Sequence, residues 1–305
     1  MTNSFDPKGK KRSSVARDPL ERVVGSLPAS RVIPRQSVRP DCRLAARQHA
    51  EDSLQTCPAL SDRARHDMLT LPGEPFWLCD WTDVVFLHFE VDAATLQREV
   101  PFALDLFAVR AFVSLVAFTL TDMRPRWGGR LSRLLFKPFG TNRFLNVRTY
   151  VRHREHAGIY FLAEWLDAPR LNLLAGPALY GLPFHCGRLN YQNHPDAGRV
   201  SGTVHGRAGA LAYSGTIDDP PQLAARDSLD EFLVERYRAF TCRGDRQGWF
   251  PVSHEPWQIS VLLAQLTETS LLNQSGHWLR AAHFHSAHWS PGAGGVWMGR
   301  WRNGI

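Results

Sequence analysis

"NVRTYVRH", residues 146–153, alternates strictly: Asn146, Arg148, Tyr150 and Arg152 fall on one side, Val147, Thr149 and Val151 on the other. A period of two marks an extended strand, because successive side chains of a pleated backbone point to opposite faces. The Val and Thr face belongs against a core. The Asn, Arg and Tyr face belongs either in solvent or in a polar lumen. For Arg148 the first alternative is a solvated charge. The second is an anion clamp whose fork of donors suits a carboxylate. The strand alone weighs the two evenly.

Outward from this strand, "GIYFLAEWLDA" (158–168) follows the turn "REHAG" and is expected to pair with it antiparallel. On the N-terminal side, "DVVFLHFEV" (83–91) and "RAFVSLVAFTLTDM" (110–123) are apolar and β-branched runs of strand length. Between them, "VDAATLQREVP" offers Asp92 as an N-cap, Leu96 and Val100 four apart, and Pro101 as a stop, so a short helix is predicted. "PRLNLLAGPALYGLP" reads as a helix broken at Gly176-Pro177. Further strands are predicted at 187–193, 199–205 and 209–217, and two more within "GWFPVSHEPWQISVLLAQLTET".

"DSLDEFLVERYRAF" places Glu231 three residues after Ser228, a capping box. Leu229, Phe232, Leu233, Arg236, Tyr237 and Phe240 then recur at helical spacing, which predicts a helix through Phe240. Many strands with two or three helices give a β-rich α+β domain over residues 75–272. Residues 273–305, rich in Gly, His and Trp without period, are expected to form an irregular tail.

With 44% hydrophobic residues, 17 Phe and 10 Trp, the chain of 305 residues holds enough apolar mass for a sizeable core. Charge is unevenly placed. Residues 1–50 carry 11 Lys and Arg against 4 Asp and Glu, an excess of +7, while the remaining 25 and 25 cancel. Nucleic-acid binding by the body is therefore not expected, since its footprint is a basic excess spread over the fold. Pro, Ser and charge content give residues 1–74 the composition of a disordered basic arm. An alternative is a chain that starts at Met68.

The arm lacks the apolar core of a secretory signal, and no apolar run reaches the length of a spanning helix, so no membrane partner is expected. The five cysteines, at 42, 57, 79, 186 and 242, are scattered and odd in number, as for reduced thiols in the cytoplasm.

Signatures of nucleotide-dependent enzymes, zinc peptidases and α/β-hydrolases are missing. His277, His283, His285 and His288 in "HWLRAAHFHSAHW" form the clearest metal candidate. No carboxylate or thiolate accompanies them, so neither a metal nor another cofactor is expected. His88 and His254 lie in strands, where a hydrogen-bonded structural role outweighs acid–base work. His185 and Cys186 are strand neighbours pointing to opposite faces, which disfavours a thiol–imidazole pair.

"NVRTYVR", "GLPFHCGRLNY", "EFLVERYRAF" and "HEPWQI", in that order, together with "FLHFEVDAATLQREVP", resemble the uncharacterised-domain family 2071 over about residues 78–260. The resemblance implies an acetoacetate decarboxylase-like fold, a closed or cone-shaped antiparallel sheet around a small-molecule cavity, and makes a homo-oligomer plausible. It also implies a comparison with the true decarboxylases. There a lysine just after a Gly-x-Pro turn forms a Schiff base with a β-keto acid, its pKa lowered by a neighbouring lysine. Here Gly181-Leu182-Pro183 is followed by Phe184 and His185, and the chain's lysines are Lys8, Lys10, Lys11 and Lys137. A glutamate that many members hold two residues before the Asn is replaced by Phe144. Schiff-base decarboxylation is thereby rejected, and whether the protein is an enzyme stays open.

The expected cavity is lined by Arg148 as anion clamp, with Asn146 and Tyr150 beside it, His185 and Arg188 near the turn, and Glu235, Arg236 and Tyr237 from the capped helix. For Glu235 and Arg236 a structural ion pair closing the barrel's end is favoured over a place in the cavity. Three functions are compatible with this set. The first is binding of a small organic acid. The second is an imine-independent lyase or isomerase on a keto or enol acid, with His185 or His254 as acid–base group. The third is a protein-interaction module built on the arm and the tail.

Overall fold

A computed structural model describes residues 60–137, 140–167 and 170–304. Most of the basic arm, with Cys42 and Cys57, lies outside the described residues.

Among the described residues fifteen strands form one sheet. In chain order they are β1 (Trp77–Val91), β2 (Ala103–Leu104), β3 (Ala111–Pro125), β4 (Asn142–His153), β5 (His156–Asp167), β6 (Phe184–Cys186), β7 (Arg188–His194) and β8 (Arg199–Gly206). Then follow β9 (Gly209–Ile217), β10 (Gln222–Leu223), β11 (Arg238–Arg243), β12 (Arg246–Ser253), β13 (Gln258–Glu268), β14 (His283–Met298) and β15 (Arg302–Asn303). Among the described residues five α-helices accompany them: α1 (Asp62–Leu69), α2 (Ala93–Gln97), α3 (Gly129–Phe136), α4 (Arg170–Tyr180) and α5 (Leu229–Val234).

The pairing runs β12–β11–β5–β4–β3–β1–β14. The end of β14 returns to β12, pairing Met298 with Val252 and Trp297 with Ser253, so this part of the sheet is ringed. Earlier in β14, Trp289 and His288 pair with β13, and the sheet continues through β9, β8 and β7 as a wing. Most pairs are antiparallel, but β11–β5 and β5–β6 are parallel, so the sheet is mixed.

β3 shows why its sequence is a continuous apolar run. Phe112, Val116, Phe118 and Leu120 join one buried cluster, while Val113, Leu115 and Ala117 join another on the opposite face. A strand covered on both sides loses its alternation. Each large side chain so buried contributes about 1.5–3 kcal/mol.

Three expectations are corrected. The stretch read as an irregular tail contains β14, which pairs with β1 from Trp77↔Met298 to Glu90↔His283. Its strand character is masked because Ser286, His288, Ser290 and three glycines stand where Val or Ile usually would. Gly292 has φ +113°, and a Cβ there would lie 1.9 Å from the Trp81 carbonyl oxygen, so the close approach of β1 to β14 requires glycine.

The helix expected through Phe240 ends at Val234, and β11 begins at Arg238. Ser228 caps as predicted, accepting from the Glu231 amide at 3.1 Å. The Glu231 carboxylate instead accepts from the amides of Asp227 and Ser61. Pairing with β5 and β12 overrides the helical spacing.

Order also begins before residue 75. Ser61 caps α1, whose Asp67 meets Arg238 at 2.7 Å, and Arg63 meets Asp105 at 2.8 Å. A polar, mostly exposed helix leaves little hydrophobic pattern to find.

Candidate functional site

The ringed sheet encloses a cavity of about 400 Å³. Its geometry starts with the β4–β5 hairpin. Asn146 stands opposite Glu164, and Arg148 stands opposite Phe161, with a register shift between Val147 and Arg148. Leu162 is the extra residue of this bulge. A bulge re-aims the side chains beyond it. Glu164 and Leu166 on one side of it, and Phe161 and Ile159 on the other, therefore all reach the cavity.

Aromatic rings make the walls. Trp81 stacks on Trp257 at 5.7 Å and Phe118 on Phe144 at 5.3 Å, while Phe184 meets Phe144 edge-on at 6.1 Å. Phe144 and Phe184 are the two positions at which the motif resemblance implied a comparison with a glutamate and a lysine. Here they are touching phenyl rings in the cavity wall. Leu135 and Phe136 of α3 and Leu179 of α4 also line it. Leu135 and Leu179 are exposed, so the mouth lies beside these helices.

The Gly-Leu-Pro turn shapes this wall. Gly181 has φ +70° and closes α4, its amide donating to the Pro177 carbonyl at 2.9 Å. A Cβ at Gly181 would meet the Cys242 carbonyl oxygen at 2.1 Å. Beyond the turn, strand alternation sends Phe184 inward and His185 outward.

The polar floor comprises Asn146, Arg148, Glu164, Arg236, Arg238 and His254. Arg148 is buried, and its Nη2 donates to the Leu233 carbonyl at 3.2 Å. Its ring neighbour is Phe86, 5.7 Å away. Among the described residues it forms no salt bridge. Burial pushes its guanidinium down, against the pull of Tyr150 and Glu235. Glu164 is also buried, and burial pushes its carboxyl well above the usual carboxylate range. Arg148 Nε, Asn146 Oδ1 and Glu164 Oε2 have no hydrogen-bond partner among the described residues. Native proteins leave few buried polar atoms unsatisfied. With Arg236 Nη2 and Arg238 Nε, five such atoms belong to residues of the cavity floor.

Arg236 and Arg238 differ. Arg236 meets Asp105 at 2.8 Å and Arg238 meets Asp67 at 2.7 Å, both pairs buried. Asp105 also receives Arg63 and Arg152. Its burial would raise its carboxyl, but Arg236, Arg63 and Arg152 together hold it below the usual range.

Of the residues expected in the site, Asn146, Arg148, Arg236 and His254 are brought together. Tyr150 lies behind the floor. Its hydroxyl donates to the Leu233 carbonyl at 2.8 Å and contacts Ser114 at 2.5 Å. Glu235 and Tyr237 are bonded to each other at 2.5 Å and do not line the cavity. The alternative Glu235–Arg236 pair is overturned, because Arg236 takes Asp105 and Glu235 accepts from the Trp257 amide at 2.8 Å. The short break after α5 sends these adjacent side chains to different neighbours.

His185 and Arg188 are exposed and outside the cavity, His185 lying 5.3 Å from Trp165. His254 lines the cavity, but its nitrogens face the carbonyls of Glu255 and Arg236 at 2.8 and 3.2 Å, and burial pushes it down to about 4. It braces the backbone and presents no free nitrogen to a ligand.

Glu164 and Arg238 escaped the sequence reading. A lone carboxylate inside the apolar run "GIYFLAEWL" is the signal that was available, since such burial is costly without a purpose. Of the four C-terminal histidines, His288 is buried, with Nδ1 3.2 Å from His88 Nε2 and Nε2 3.3 Å from Asp230. His277, His283 and His285 are exposed. Among the described residues, no group of three or more His, Cys, Asp or Glu is placed to hold a metal. Cys79, Cys186 and Cys242 are free thiols.

A partly ringed, β-rich sheet with a small apolar chamber defines the class: this is the acetoacetate decarboxylase-like fold. Three solved structures share it. Acetoacetate decarboxylase from Legionella pneumophila is 11% identical, covering 77% of this chain and 89% of that one at a TM-score of 0.55. An acetoacetate decarboxylase-like enzyme from Sphingomonas wittichii RW1 is 14% identical, covering 76% and 94% at 0.55. The enduracididine biosynthesis enzyme MppR, complexed with the condensation product of pyruvate and imidazole 4-carboxaldehyde, is 16% identical, covering 77% and 90% at 0.55.

The chain belongs to domain family 2071, described as an uncharacterized conserved protein, which it matches over residues 79–293. Uncharacterized protein YqjF of Bacillus subtilis (strain 168) is 29% identical over 225 residues, covering 71% of this chain and 89% of that protein. The match reaches into β14, beyond the stretch in which the resemblance was visible by motif. Among the described residues, no helix is long and apolar enough to cross a membrane.

Proposed function

We propose that this protein binds a small organic acid in the cavity, its carboxylate on Arg148 and its apolar body against the phenyl and indole walls. The observation that carries this is a buried guanidinium without a carboxylate partner among the described residues. Keeping such a charge dry and unpaired costs several kcal/mol, and a bound carboxylate would relieve that cost. Arg148 Nε and Asn146 Oδ1 supply a free donor and a free acceptor. In its acid form, which burial favours, Glu164 would supply a hydroxyl donor. MppR, whose complexes contain pyruvate and a pyruvate condensation product, sets a keto acid in the same fold.

Imine chemistry has no support here. Among the described residues no lysine lines the cavity, and Lys137 is exposed at the end of α3.

Native mass spectrometry of the full chain with a pool of carboxylate metabolites tests the reading. A bound mass is expected, and it should be lost in Arg148→Ala. No bound mass, or one unchanged by that substitution, overturns it. Borohydride with β-keto acids should leave no covalent adduct.

A second reading, an imine-independent isomerase or lyase on a keto or enol acid, is favoured by Glu164 alone. His185 lies outside the cavity and His254 has both nitrogens on carbonyls, so Glu164 is the group left to move a proton. Its ionised form would take a proton from the carbon beside the ketone, and its acid form would return one. Deuterium exchange into 2-oxo acids, followed by NMR, is expected with the wild type and not with Glu164→Gln. Binding without exchange leaves the first reading standing and removes the second.

A further inference from the structure

α3 is turned the wrong way round for a helix on a globular surface. Its buried position is Ser132, while Leu131, Leu134 and Leu135 are 64%, 68% and 63% exposed. Surface helices ordinarily face their apolar stripe inward. Trp127, just before α3, is 55% exposed, and Leu174 of α4 is 70% exposed. Leu135 and Leu179 connect this apolar face to the cavity mouth.

The flanking charges share one sign. Arg130, Arg133 and Lys137 are exposed along α3. Next to Trp127 lies a groove lined by Arg126, Arg300 and Arg302, with Glu74 as its one acidic residue. Glu74 pairs with Arg126, and Asp122 pairs with Arg124 and Arg133. Among the described residues, no carboxylate pairs with Arg130, Arg300 or Arg302. Arg300 lies 4.7 Å from the ring of Phe76, which in turn meets Trp127 at 5.0 Å, so the basic groove and the apolar face are continuous.

We infer that this face docks on an anionic phospholipid bilayer. Outward leucines and a tryptophan, with arginines and a lysine among them, are what an interfacial segment needs to sink apolar side chains while its cations meet lipid phosphates. A second copy of the chain is a poor occupant, since it would set arginine against arginine. An anionic surface is complementary. The docked chain turns its cavity mouth toward the acyl layer. The inference stands on the surface alone and does not require the proposed ligand.

Co-sedimentation of the full chain with vesicles decides it. Binding is expected to vesicles of mixed phosphatidylcholine and phosphatidylglycerol, and not to phosphatidylcholine alone. It should fade toward about 1 M salt, where the Debye length shrinks to about 3 Å. The double variant Leu131→Ser with Leu134→Ser, and separately Arg130→Ala with Arg300→Ala, should each weaken binding by about tenfold or more. These side chains are exposed, so the thermal midpoint should not move, and a matching wild-type midpoint confirms an intact fold. Three outcomes overturn the inference: no sedimentation with the anionic vesicles; equal sedimentation by wild type and both variants, which would assign binding to the basic N-terminal segment; or a wild-type dimer that the leucine variant dissolves, which would make the face a contact between copies.

Discussion

Arg148 and the pair Arg236 and Arg238 are buried cations on the same cavity floor, yet they are held differently. Arg236 and Arg238 each meet a buried carboxylate, Asp105 and Asp67. Each of the three keeps one unpartnered nitrogen, but Arg148 meets only a backbone carbonyl and a tyrosine, with no carboxylate paired to it among the described residues. A charge whose partner is supplied by the fold stabilises the fold. A charge that the fold leaves without a carboxylate is the one the proposed function assigns to a ligand.

The largest test removes a partner that the fold supplies. Asp105→Ala leaves Arg236 buried and uncompensated and frees Arg63 and Arg152. Breaking a buried pair in this way costs about 3–5 kcal/mol, which urea unfolding should read directly. Asp67→Ala should cost a similar amount through Arg238. A chain beginning at Met68 would lose Asp67 and the Ser61 cap together. A loss below 1 kcal/mol in Asp105→Ala would erase the distinction between the two kinds of arginine.

pH sharpens the comparison next, through two buried groups near the floor that titrate in opposite senses. Burial lifts Glu235 from 4.5 to about 7, against the lowering effect of its bonds to Tyr237 and the Trp257 amide. The folded chain therefore holds a proton that the unfolded chain gives up, so this contribution is full below pH 4.5 and lost as pH rises through 7. Burial depresses His254 from 6.5 to about 4. Its contribution is full above pH 6.5 and lost as pH falls through 4. Between 4.5 and 6.5 the two slopes oppose each other. Glu235→Gln should leave stability rising with pH across that window, by up to about 3 kcal/mol. A flat or falling profile in the variant would contradict the assignment.

Arg148→Met is the converse of the first test and has a smaller expected effect. Replacing an uncompensated buried charge by an apolar side chain should leave stability within about 1 kcal/mol of wild type, or raise it, while ligand binding disappears. A loss as large as that of Asp105→Ala would place Arg148 among the structural cations. The smallest effect belongs to His185→Ala. Outside the cavity and exposed, it should change stability by no more than about 0.5 kcal/mol and leave binding untouched.

Much of the frame was legible. Alternation located β4, the apolar run of 110–123 located β3, and the caps at Asp92 and Ser228 located α2 and the start of α5. β14 was illegible because its Ser, His and Gly residues carry no strand pattern until β1 and β13 cover them. The end of α5 was illegible because helical spacing continued by chance into a strand. The candidate site divided likewise. Arg148 and Asn146 were found from their shared face, while Glu164 was hidden behind a bulge whose position depends on the partner strand.

The sequence by itself determined which side chains share a face, where helices start, and that no lysine follows the Gly-Leu-Pro turn. These are consequences of local backbone geometry and of residue identity. The tertiary structure decided which face looks inward, which arginine goes without a carboxylate, and which leucines stay outside. Burial and charge pairing depend on residues far apart in the chain, and they become defined only when the ringed sheet brings those residues together.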